Sequence, residues 1–293
     1  MQESINNFLN HLEVERNYSF RTLKEYSYDL AIFAKFLNYK DITLVSIEDL
    51  RNVLGYLKKE RGYSSKGIAR KIATIKSFFK FLVKEGTIRI NIADQINTPK
   101  LEVREPVFLT DEERIKLFDF AKQKSFSVRG KRNYAMLTIL YHTGIRVSEL
   151  INLNIDDIIK DENKYVMRII GKGNKERFIP LNETVYLSLN VWLQNRPNTE
   201  IEKAVFIDLY KKNRLSADLV QYVIKQFAQK THINKQITPH KLRHTFATTL
   251  LRKGANLVDI QALLGHASLN TTRIYTHTDR TQLRVTVDKL LHL

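Results

Sequence analysis

The chain has 293 residues, 43% of them hydrophobic, enough for two domains of ordinary size, and its 48 Lys and Arg against 31 Asp and Glu give a formal charge of +17. A field of that sign draws in polyanions, nucleic acid first and an anionic membrane second. The absence of cysteine excludes disulfides, thiol nucleophiles and cysteine-based zinc sites, and no apolar run approaches the roughly 18 residues of a spanning helix. Acidic residues in the opening MQESINNFLNHLEVE stand where a signal peptide needs basic ones, so a cytoplasmic protein is expected.

The first hundred residues read as helices. Ile5, Phe8, Leu9 and Leu12 fall at helical spacing, as do Leu23, Leu30, Phe33 and Leu37 behind the N-cap candidate Ser19. Ser46 with Asp49 forms a capping-box pattern opening a third helix, which turns Ile47, Leu50, Val53, Leu54 and Leu57 inward. In the fourth, about residues 65–85, Ile68, Ile72, Ile75, Phe79 and Leu82 make one stripe, with Lys66, Arg70, Ser77, Lys80 and Lys84 opposite. That polar face is either a solvated surface or a track for phosphates. Four such helices suggest a small bundle over residues 1–95.

Periodicity lapses in QINTPKLEVREPVF, whose two prolines fit an extended linker over 96–108. Thr110 and Glu113 then form a capping box opening a second domain, 109–293. Residues 130–142 read as a helix ended by Gly144, and YVMRIIGKGNKERFIPL, 165–181, as a hairpin around a glycine-containing turn. The expected fold is mainly α, with one small antiparallel sheet in the second domain.

The stretch from Thr238 to Tyr275 poses a choice between metal and phosphate. His240 and His244 have the i, i+4 spacing of zinc hydrolases, but Lys241 stands where the glutamate should be, and Arg243 adds another cation. A phosphate fits better. Thr238 as N-cap and Pro239 at the first helical position put His240 in a helix's first turn, where backbone N–H groups favour anions, and the Arg243 guanidinium matches phosphate oxygens with a fork of donors. A second guanidinium is then expected, and Arg146, three residues before Glu149, is the candidate. Taken singly, Arg146 reads better as a surface arginine beside a helix end, His266 equally as a helix cap and Tyr275 as a core-edge tyrosine.

Together, Arg146 in TGIRVSEL, Lys172 in GKGNKER, His240 and Arg243 in HKLRH, His266 in LLGH and Tyr275 in NTTRIYTH resemble, in type and order, the catalytic set of the tyrosine recombinase (integrase) family, particularly its compact Xer-type members. The resemblance covers nearly the whole chain and implies a DNA core-binding domain followed by a catalytic domain, the two clamping a DNA duplex. It also implies site-specific strand exchange through a 3′-phosphotyrosyl intermediate and a Holliday junction, with no metal, ATP or other cofactor, by a homotetramer on synapsed double-stranded DNA. Tyr275 would be the nucleophile, Arg146 and Arg243 the phosphate clamp, His266 a further hydrogen-bond donor, Lys172 the acid for the leaving oxygen and His240 the proton acceptor or phosphate aligner. Glu149 would orient Arg146, and His244 would be structural. Lys175, in the same turn, competes with Lys172. The tail TQLRVTVDKLLHL, 281–293, either packs on its own domain or docks on a neighbouring protomer. Chromosome dimer resolution, integration and inversion all remain open as roles.

Overall fold

The computed structural model describes residues 1–100, 108–162, 164–171, 174–198, 203–265 and 277–290, the last stretch with side chains from 282 onward. Two compact units divide the chain, Met1–Arg104 and Glu105–Leu293.

The first unit is a bundle of α1 (Gln2–Val14), α2 (Phe20–Phe36), α3 (Ile47–Lys59) and α4 (Ser65–Lys84). Its boundaries follow from capping chemistry: Ser19 accepts the Thr22 N–H, Ser46 and Asp49 close a reciprocal capping box, and Ser64 accepts the Gly67 N–H. The apolar stripes converge on one core holding Phe8, Leu30, Phe33, Leu50, Ile72, Phe78 and Phe79. Within it lies an ion pair that hydrophobic periodicity does not reveal: Lys71 Nζ, on α4, is 2.6 Å from Asp29 Oδ1, on α2, with both side chains buried. Thr74 also donates to Asp29, and the ammonium stands 4.5 Å from the Tyr63 ring centroid. Burial on this scale demands such partners.

The second unit begins with α5 (Asp111–Gln123), capped by Thr110 and Glu113, and α6 (Val128–Thr143), which ends at Gly144 in the left-handed conformation. After α7 (Val147–Asn152) come β1 (Ile158–Asp161), β2 (Lys164–Ile170) and β3 (Glu176–Pro180), an antiparallel sheet in the order β1-β2-β3. The hairpin pairs Met167 with Ile179 and Ile169 with Arg177. Its partner β1 escapes a pattern reading because four residues, IIKD, show no clear inside–outside alternation. The remaining elements are α8 (Glu183–Asn195), α9 (Ala217–Lys230), α10 (Pro239–Arg252), α11 (Leu257–Leu264) and α12 (His277–Asp288). Mainly helical with one small sheet, the architecture is that expected from sequence.

Helix α6 is the axis of this unit: Ala135, Met136, Ile139, Leu140 and Tyr141 are inaccessible to solvent. Around it pack Leu117, Trp192, Ile224 and Phe246. The C-terminal tail lies on its own unit: Leu283, Val287 and Leu290 join the core, Arg284 Nη2 meets Asp161 Oδ2 at 2.6 Å, and Thr286 donates to Asp259. Of the expected linker, residues 101–107 lie outside the described residues. No described helix is long and apolar enough to cross a membrane.

Candidate active site

The site starts from two glycine helix ends. Gly144 terminates α6 at φ +63°, and a Cβ there would stand 2.4 Å from Phe246 Cδ1, so both the backbone conformation and the approach of α10 require glycine. Gly265 ends α11 in the same conformation. Both ends leave carbonyls without helical partners, and both are satisfied by one side chain: Arg243 Nη1 donates to Gly144 O and Nη2 to Leu264 O, each at 2.8 Å. Each of those nitrogens carries a second N–H.

Arg146 follows Gly144 by two residues and stands at the N-cap of α7. Glu149 Oε2 accepts its backbone N–H at 2.7 Å and Oε1 its Nη1 at 2.9 Å. The carboxylate is buried while the Arg146 side chain is 43% exposed, so the guanidinium is anchored from beneath and open above.

A third guanidinium, which motif reading missed, completes the cluster. Arg177 Nη1 and Nη2 bind Glu149 Oε1 and Oε2 at 2.9 and 2.8 Å, and its Nε donates to Leu263 O at 2.9 Å. Sequence holds a signal for it: in ERFIP, Arg177 alternates in step with Ile179, placing a charge on the buried face of β3. Such a charge needs a partner.

Two guanidiniums, Arg146 and Arg177, therefore grip one carboxylate, and a third, Arg243, lies within its electrostatic reach, an excess of positive charge at a partly open surface. Burial lowers the Arg243 pKa to about 10, with the charges of Arg146 and Arg177 acting in the same direction and Glu149 opposing them. The group stays protonated at neutral pH, and its bond to Gly144 O, two residues before Arg146, brings the two guanidiniums to the same end of α6. Burial pushes the Glu149 carboxyl upward, but the bonds and charge of Arg177, then of Arg146, outweigh it and hold it below its ordinary value.

His240 is exposed in the first turn of α10, three residues from Arg243, and His244 is half-buried, its ring edge-on to Phe108. Lys172, His266 and Tyr275 lie outside the described residues. Two of their neighbours do not: a Cβ on Gly171 would stand 3.9 Å from Glu149 Oε1, and one on Gly265 would stand 3.1 Å from Arg177 Nη1. Lys175, the competing lysine, is exposed.

On the polar face of α4, Lys66 and Lys80 are exposed and Ser77 is half-buried. Arg70 is 2.8 Å from Asp29 Oδ2 and 3.6 Å from Glu25, and Lys84 is 3.7 Å from Glu15. Intramolecular carboxylates thus compete for two of the five residues on that face. Among the described residues, no group of three or more His, Asp or Glu is placed to hold a metal ion.

The Phage integrase family model matches residues 107–282, and that of its N-terminal SAM-like domain matches residues 5–86. The chain belongs to the phage integrase family. It is similar to the tyrosine recombinase XerC of Staphylococcus haemolyticus, with 39% identity over 97% of this chain and 95% of the relative. Tyrosine recombinase XerC of Leptospira interrogans is 34% identical over 97% and 91% of the two chains. In fold it matches the XerH site-specific recombinase solved on its palindromic difH substrate, with a TM-score of 0.71 and 24% identity over 98% of this chain and 89% of that one. The chain is thus a Xer-like site-specific tyrosine recombinase.

Proposed function

We propose that the chain recombines double-stranded DNA at a specific site by two transesterifications, through a 3′-phosphotyrosyl intermediate and a Holliday junction. The observation that carries this mechanism is that Arg146, anchored by Glu149, and Arg243, bonded to Gly144 O two residues before it, come together at a half-open, positively charged surface.

Tyr275 Oη attacks the scissile phosphorus, the Oη–P bond forms and the P–O5′ bond breaks. With an ordinary pKa of about 10, the phenol must hand over its proton, and His240 is the acceptor or aligns the phosphate. Lys172 protonates the departing 5′ oxygen. Arg146 and Arg243 hold the non-bridging oxygens and stabilise the charge gathering on the pentavalent phosphorus, with a further hydrogen bond from His266. The freed 5′-hydroxyl of a partner strand then attacks the phosphotyrosine and restores the enzyme. One phosphodiester is exchanged for another, so bond energy is conserved without ATP.

Lys66, Arg70, Ser77, Lys80 and Lys84 supply phosphate contacts from the first unit, and binding weakens steeply with salt. Two sites brought together call for four protomers, and in that assembly the tail from 281 exchanges its place on its own unit for one on a neighbour. Resolution of chromosome dimers in the cytoplasm is the role we favour, from the kinship with XerC.

The test is to trap the protein on host DNA, sequence what is covalently attached and repeat with Tyr275→Phe. The proposal expects one recurring site, an adduct that persists in excess EDTA, and a variant that binds with near-normal affinity yet forms no adduct. An adduct in the Tyr275→Phe variant would place the nucleophile elsewhere, and loss of cleavage with EDTA would count against the metal-free scheme.

A further inference from the structure

The chemistry above gives Arg177 no part, yet its guanidinium joins three elements. It is rooted in β3, whose hairpin turn carries Lys172, it grips Glu149 on α7 with two bonds of 2.9 and 2.8 Å, and it holds Leu263 O, near the end of α11 that leads to His266. Its side chain is 8% exposed. Gly265 makes room for it, since a Cβ there would press within 3.2 Å of its guanidinium carbon. An apolar residue at this position would join Ile179 in the core without the desolvation cost of a buried charge, so core packing does not call for arginine here. The arrangement does account for it: Oε1 of Glu149 is shared by Arg146 Nη1 and Arg177 Nη1, so Arg177 fixes the acceptor that aims Arg146.

Resting on the reading under Proposed function, we infer that Arg177 is a positioning residue for strand cleavage, acting through Glu149 to orient Arg146 and through Leu263 to set the end of α11. It touches neither phosphate nor tyrosine. The charged groups facing Glu149 among the described residues are Arg146 from α7, Arg177 from β3 and Arg243 from α10. Of these, Arg177 contributes most to keeping the carboxyl ionised. Removing it raises the Glu149 carboxyl, so the anchor of Arg146 is lost at a higher pH than in wild type.

The experiment measures single-turnover adduct formation on a nicked duplex for wild type, Arg177→Met and Arg177→Lys, with Tyr275→Phe as control, from pH 8 to 5.5. Cleavage by Arg177→Met is expected to slow about 10- to 100-fold, the range typical of lost supporting contacts, with DNA affinity changed by less than about threefold. Its rate should also fall with pH more steeply than that of wild type, and Arg177→Lys should lie between the two. In a Glu149→Gln background, Arg177→Met should cost less than about threefold, because residues acting as a unit are not additive. If Arg177→Met does not fold, Arg177→Lys and its pH profile decide. Wild-type rate and pH dependence in both variants, or an undiminished penalty in the Glu149→Gln background, would overturn the inference. A wild-type protein that forms no adduct overturns the parent reading instead.

Discussion

Glu149→Gln is the perturbation whose size follows most directly from the geometry. The carboxylate accepts four hydrogen bonds, two from Arg146 and two from Arg177, all between 2.7 and 2.9 Å. Glutamine keeps the shape but offers one oxygen, and its amide N–H groups meet donors, so two bonds disappear and Arg177 is left buried beside a neutral group. Removing one partner of a buried pair costs about 3–5 kcal/mol, a large part of the roughly 5–15 kcal/mol that holds a domain together. The only tryptophan, Trp192, is fully buried in the second unit and donates to Val205 O, so its fluorescence reports the unit that contains Glu149. With m of about 2–3 kcal/mol/M, the urea midpoint should fall by roughly 1–2.5 M. The pH dependence has a definite sign. Because the folded carboxyl is held below its unfolded value of about 4.3, its stabilisation is complete above that pH and lost only as pH falls through the folded value. The deficit of the variant should therefore be constant from pH 8 to 5 and narrow below about 4. A midpoint shift under about 0.3 M, or a deficit that shrinks between pH 8 and 6, would refute the reasoning.

His142, buried on α6, has its pKa lowered to about 3 by burial and then by the charge of Arg114, and its Nδ1 meets the Asn182 side-chain amide at 3.2 Å. The unfolded chain takes up a proton near pH 6.5 that the folded one refuses, so stability falls as pH drops from 6.5 toward 3. Wild type should lose about 1 kcal/mol more than His142→Asn between pH 6.5 and 5.5 in urea titrations, and parallel curves would contradict this. In the first unit, Lys71→Met leaves Asp29 buried with Arg70 as its remaining cation, so the cost should be about 2–3 kcal/mol, below that of a wholly stranded charge. Asp29→Leu combined with Lys71→Met should recover part of it in thermal unfolding followed by circular dichroism, and a double variant no better than the single would show that the pair is not the cause.

Much of this architecture is legible because it rests on local chemistry. Ser19, Ser46 and Thr110 cap helices where the sequence says they should, and Gly144 ends α6 because only glycine meets its backbone angle so close to Phe246. The convergence of Arg146 with Arg243 is anticipated by chemical need, since one guanidinium suits only part of a phosphate. Long-range polar pairing is what escapes. Nothing local in α2 tells Asp29 that Lys71 lies 42 residues on, and nothing in the hairpin tells Arg177 that Glu149 awaits it. A charge in an apolar register announces that a partner exists and not which one. The polar face of α4 shows the opposite failing, because a helical wheel cannot reveal that Arg70 is already engaged by Asp29.

The central claim is that Arg146 and Arg243 act on one phosphate. Single-turnover formation of the covalent adduct by Arg146→Lys and Arg243→Lys tests it most directly, since lysine keeps the charge and loses the fork. Each variant should cleave about 10²–10³-fold more slowly, as expected when one preorganised donor group is removed, while DNA binding weakens far less. Cleavage within threefold of wild type in either variant would contradict the account.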